Sequence, residues 1–81
     1  MSLYDKVNKF VGYHEYFPAK MSGNYQQVHI TFYKNQLIEG DNFYYHLLQS
    51  IQEHPRVWKN AVISIFKSTN NINISIVSRS L

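Results

Sequence analysis

Apolar residues recur along this chain with two different periods, and the change of period divides it into elements. In the opening stretch SLYDKVNKFVG, Leu3, Val7, Phe10 and Val11 fall on one side of a helix, and Lys6 and Lys9 flank that stripe. Ser2, with Asp5 three positions later, is a weak form of the capping box, and Gly12 is a natural stop. The pattern predicts a short amphipathic helix over 3–11.

From Tyr25 the period becomes two. Val28, Ile30 and Phe32 point to one face, while Tyr25, Gln27, His29, Thr31 and Tyr33 point to the other, as in a half-buried strand. NQLIEGDN interrupts this strand, with Leu37 and Ile38 read as a short strand return. Asp41 or Asn42 then caps a second helix whose apolar face is Phe43, Tyr44, Leu47, Leu48 and Ile51, and Pro55 ends it. The last third reads as a β-hairpin. Its first arm, Ala61 to Lys67, is nearly all apolar, as a central strand covered on both faces would be. Its second arm alternates Ile72, Ile74 and Ile76 with Asn73, Ser75 and Val77, and Ser68 to Asn71 make the turn.

The expected order is α-β-α-β-β within a single domain, residues 1–81. A strand, a helix and a strand in succession imply a crossover, which places both helices on one face of a three-stranded mixed sheet. The predicted fold class is therefore α+β, a small two-layer sandwich.

One face of such a sheet is left open. It is expected to show Tyr25, His29, Tyr33, Asn73, Ser75, Val77 and Arg79, with either Val62 and Phe66 or Ile63 and Ile65 between them. Apolar side chains framed by Tyr, His and Asn mark a surface that something covers. The candidate covers are residues 13–25 of the aromatic stretch GYHEYFPAKMSGNY (residues 12–25), a second copy of the chain, or a ligand. That stretch reads either as a strap anchored in the core by Phe17, with His14 and Lys20 in water, or as an interaction loop.

Composition narrows the chemistry. A hydrophobic fraction of 44% in 81 residues is enough for one folded core, which excludes disorder by composition. The net charge of +3 comes from eight Lys and Arg against only five acids, and the cations are dispersed along the sequence. That dispersal permits nucleic acid without pointing to it. With no cysteine, disulfides, thiolate metal sites and thiol catalysis drop out. No apolar run approaches membrane-spanning length and no leader pattern opens the chain, so a cytoplasmic protein is expected. The Asn/Ile/Tyr/Lys-rich composition fits the small domains of phages and viruses.

The four histidines, at 14, 29, 46 and 54, lack the helical spacing of a zinc site, and the three glycines form no phosphate-binding loop. The expectation is no metal, no cofactor and no catalytic set. The functional reading is a small non-enzymatic binding protein, homodimeric and acting by stoichiometric protein contact, because tyrosine is enriched at interfaces and NNINISIV has the profile of a strand edge. The alternative is a single-stranded nucleic-acid binder that stacks bases on the open sheet face with Tyr25, Tyr33, Lys34 and Arg79. Third comes a metal-independent ribonuclease, of the kind found among small toxins, working through His29, Tyr33, Arg56 and Arg79.

Overall fold

The apolar stripe Leu3, Val7, Phe10, Val11 forms α1 (Leu3–Tyr13) in the computed structural model, which describes residues 2–79. The expected domain spans 1–81, and Met1, Ser80 and Leu81 lie outside the described residues. The Ser2 hydroxyl caps the helix by accepting from the Asp5 amide at 3.1 Å. Gly12 does not stop it. The chain turns at Glu15, whose φ is +59°, and the Glu15 and Tyr16 amides reach back to the carbonyls of Gly12 and Val11. This is a Schellman ending with glutamate in the place glycine usually takes.

The remaining elements are β1 (Lys20–Gly23), β2 (Gln27–Tyr33), a 3-10 turn (Lys34–Gln36), α2 (Leu37–Glu53), β3 (Val62–Lys67) and β4 (Asn71–Val77). The strands make one four-stranded antiparallel sheet in the order β1-β2-β4-β3. Val28, Ile30 and Phe32 of β2 and Ile72, Ile74 and Ile76 of β4 share a buried face with Phe10 of α1 and Phe43 and Leu47 of α2. Both helices therefore lie on that side, and the class is α+β as expected.

Four expectations are corrected. The sheet has four strands, not three, because Lys20–Gly23 pairs with β2 although it carries no alternating pattern. Asn24 makes that hairpin: its side-chain oxygen accepts from the amides of Gln26 and Gln27. The sheet is not mixed. β2 and β3 run in the same direction, but β4 lies between them and is antiparallel to both. Consequently β4 is central and β3 is an edge, the reverse of the reading from composition.

Finally, α2 begins at Leu37 rather than near Asp41, so Leu37 and Ile38 are not strand. Gly40 explains the difference. A Cβ there would sit 3.0 Å from the Ile72 side chain and 3.1 Å from that of Phe32. The glycine disfavours helix by about 1 kcal/mol, and the close packing of α2 on the sheet that it allows offsets this cost.

The β2-α2-β3-β4 segment is a split β-α-β unit, and α1-β1 precedes it. Read cyclically, the element order is that of the β-α-β-β-α-β arrangement. Such folds host unrelated functions, so function has to be sought in particular side chains. Among the described residues no helix is long and apolar enough to cross a membrane.

Candidate functional site

Among the described residues, none forms a layer over the outer face of the sheet. Pairing register sets its rows: Gln27, Val77 and Val62; then Ser22, His29, Ser75 and Ser64; then Lys20, Thr31, Asn73 and Phe66; with Tyr33 beside Asn71 at the end. Of the predicted interaction surface, His29, Tyr33, Asn73, Ser75 and Val77 do come together here. The expected alternative on β3 resolves to Val62 and Phe66, since Ile63 faces the core.

The polar side chains of this face largely satisfy one another. The Thr31 hydroxyl donates to the Asn73 side-chain oxygen at 2.9 Å, Asn73 donates to Asn71 at 3.0 Å, and Gln27 lies 2.9 Å from a His29 ring nitrogen. The Lys20 ammonium sits over the Tyr33 ring, 5.8 Å from its centroid. The apolar side chains have no such partners: Phe66 is 70% exposed, and Val62 and Val77 are exposed as a pair two rows away along the strands.

The two sheet edges differ. β1 is four residues long and ends at Gly23, while β3 runs for six residues as VISIFK. The sole charge on β3, Lys67, is occupied by an ion pair of 2.5 Å with Asp41, which also supplies the partner that this enclosed carboxylate oxygen needs. The contact raises the Lys67 pKa. Natural sheets usually blunt an edge with charge, proline or a bulge, and within β3 the sequence offers only the terminal Lys67, which is held by Asp41.

Two predicted residues leave the surface. Tyr25 lies in the turn before β2 and Arg79 follows the end of β4. They flank the same end of the sheet, where the Ser78 amide donates to the Gln26 carbonyl. Lys34 is in the 3-10 turn after β2, so the nucleic-acid set Tyr25, Tyr33, Lys34 and Arg79 is split between opposite strand ends, about 25 Å apart along β2. Residues bracketing a strand in sequence cannot meet when the strand is extended. The ribonuclease set is dispersed as well, since Arg56 belongs to the turn after α2.

The strap reading of the aromatic stretch 12–25 holds for one ring only: Tyr16 packs on the core, while Tyr13, Phe17 and Tyr25 are exposed and Lys20–Gly23 is strand β1. Tyr16 packs edge-on against Phe43 at 5.1 Å, and its hydroxyl lies 2.9 Å from His46 Nδ1. Burial and the nearby Glu39 carboxylate raise the Tyr16 pKa, which keeps the phenol protonated. Phe17 is 70% exposed and contributes its backbone instead: its amide donates to Glu39 and its carbonyl accepts from Gln36.

A second feature, on the helical side, was not anticipated. His14 packs on Phe10 and on His46, with ring centroids 4.5 and 4.2 Å away. Desolvation, and then the proximity of His46, lowers the His14 pKa. Beyond His14 an open groove of about 430 Å³ runs between α1 and the turn holding Val57 and Trp58. The sequence signal for it was the pair Lys6 and Lys9 beside the apolar stripe, but the opposite wall comes from residues some fifty positions away. His29 is on the sheet face and does not join these histidines. Among the described residues no group of three or more His, Asp or Glu side chains converges to hold a metal.

No protein-family model, curated protein or solved structure matches the chain, so its own residues carry the functional reading.

Proposed function

We propose that this chain is a non-enzymatic protein-interaction module that self-associates through β3 and the adjoining uncovered sheet face. The observation that carries the proposal is an edge strand, VISIFK, with exposed Val62 and Phe66 on its outer side and no charge before Lys67. A small domain also gains burial by pairing with a copy of itself.

Geometry limits how two copies pair. Residues directly opposite in an antiparallel pair share a face, so a two-fold axis normal to the sheet must pass through a residue rather than between two. With the axis at Ser64, Val62 of each copy meets Phe66 of the other on the outer face. Ile63 meets Ile65 on the inner face. The result is a continuous eight-stranded sheet with both helical layers on one side.

The chain contains no cysteine, so Ser64→Cys introduces a single thiol. Opposed positions in an antiparallel pair lie about 4.5–5.5 Å apart at Cα, within disulfide reach. Mild oxidation should cross-link Ser64→Cys to dimers and leave Asn73→Cys, on a central strand, monomeric. Sedimentation equilibrium should show a wild-type dimer and a folded Phe66→Lys monomer. A wild-type monomer at about 100 μM, or a dimer unaffected by Phe66→Lys, would exclude this mode of association.

A further inference from the structure

The groove on the helical side combines features that the sheet face lacks. Its floor is Phe10 and Trp58, both buried, with ring centroids 5.9 Å apart. At its lip Tyr13 is 84% exposed, its ring perpendicular to that of His14. Lys6 and Lys9 lie on adjacent turns of α1 along the same side, and the Lys6 ammonium donates to the Val57 carbonyl across the groove. Lys9 has no ion pair among the described residues, and no carboxylate lines the groove. Arg56 and Lys59 bracket Val57 and Trp58 in the chain. The acids closest in sequence are turned to other uses or lie outside it: Asp5 accepts from the Ser2 hydroxyl, Glu15 occupies the turn after α1, and Glu53 lines the neighbouring cleft beyond His14.

Both walls end in left-handed turns made without glycine. Glu15 has φ +59° immediately after His14, and Lys59 and Asn60 have φ +53° and +55° immediately after Trp58. The second turn repeats the Schellman pattern, with the Asn60 amide donating to the Pro55 carbonyl and the Lys59 amide to that of Arg56. Backbone held in this region by residues other than glycine costs about 1–2 kcal/mol each and concentrates at functional positions. Here it fixes the aromatic walls of the groove. His14, pushed towards its neutral form, offers an aromatic surface rather than a further cation.

We infer that this groove binds single-stranded nucleic acid. Exposed Tyr13 and the ring of His14 provide stacking surfaces for a base, and Lys6 and Lys9 meet the adjoining phosphates. An acidic peptide would need backbone hydrogen-bonding partners or a closed anchor pocket for specificity. The groove presents chiefly ring faces and ammonium groups, which suit bases and phosphates. This site is separate from β3, so it stands or falls independently of self-association.

Trp58 is the only tryptophan and forms part of the floor, so it reports on occupancy directly. The full chain should be titrated with a fluorescently labelled oligo(dT) of about eight nucleotides, and with unlabelled oligonucleotide to follow Trp58 emission. Expected are micromolar binding, quenching of Trp58 and a log–log salt slope of about −1.4 to −2.8, for two to four phosphates neutralised on a single strand. Tyr13→Ala should weaken binding about tenfold. Lys9→Glu should weaken it further and flatten the salt slope by at least one contact, and Tyr33→Ala on the sheet face should change neither. Circular dichroism confirms that each variant is folded. Absence of binding at 50 mM salt, or binding indifferent to Tyr13→Ala and Lys9→Glu, overturns the inference. Equal binding of a poly-glutamate peptide overturns it as well, by identifying an acidic polypeptide as the occupant.

Discussion

Phe43 and Phe66 are the same residue in opposite situations, and replacing each with alanine separates the core from the interaction surface. Phe43 is fully buried, with Phe10 at 5.8 Å, Tyr16 at 5.1 Å and Phe32 at 5.6 Å between ring centroids. Truncating a phenylalanine so enclosed costs about 3–5 kcal/mol, the lost transfer energy plus the cavity left behind. For 81 residues the whole stability is only about 4–12 kcal/mol, so Phe43→Ala should leave a protein that is marginal at 25 °C. Phe66 keeps less than a third of its surface out of water. Scaling a full burial value of about 1.5–3 kcal/mol by that fraction gives about 0.5–0.9 kcal/mol. Urea denaturation at two protein concentrations tells the two apart. With an m-value of about 1–1.5 kcal/mol/M, Phe43→Ala should lower the midpoint by about 2 M or more at both concentrations. Phe66→Ala should lower the dilute midpoint by only about 0.3–0.9 M and should abolish the rise with concentration that a dimer confers. A dilute-state loss above about 2 kcal/mol for Phe66→Ala would refute the reasoning, because a side chain on an uncovered face has too few contacts to supply it.

Glu15→Gly should raise stability by about 0.5–1 kcal/mol, since it relieves the left-handed conformation that ends α1, and thermal melting checks the sign. Gly23→Ala should cost more than about 2 kcal/mol, because the new Cβ would lie 2.2 Å from the Gln27 carbonyl oxygen at φ +152°. Amide exchange should then accelerate across Lys20–Gly23, and unchanged protection there counts against the assigned hairpin. His14 has a folded-state pKa below its ordinary 6.5, so the unfolded chain takes up the proton first and stability falls as the pH drops below about 6.5. His14→Gln should flatten that part of the stability–pH curve, and an unchanged slope would assign it to another group.

The sequence by itself determined which side of α1, α2, β2 and β4 meets the core. The stripe of α1 and its Ser2–Asp5 cap, the inward sets of β2 and β4, the turn at Ser68–Asn71 and the side on which the helices lie were all legible. Each is written in side-chain spacing or local turn chemistry, and burial makes a wrong face costly. Tertiary structure decided who stands next to whom. β1 forms through backbone groups that every residue possesses, so it leaves no side-chain period to find. Gly40 becomes helical because Phe32 and Ile72 press against it, which nothing within the helix announces.

The order of β3 and β4 was inverted for a related reason. An apolar strand exposed at an edge and one buried on both faces have the same composition, and only pairing distinguishes them. The site followed the same division. His29, Tyr33, Asn73, Ser75 and Val77 were placed on one surface because alternation fixes facing, while Tyr25, Lys34 and Arg79 were not, because an extended strand carries its flanks apart. Tyr16 outranked Phe17 as anchor because its hydroxyl finds His46 thirty positions on. The groove needed α1 and the Trp58 turn brought together, and that contact depends on chain closure rather than on any local pattern.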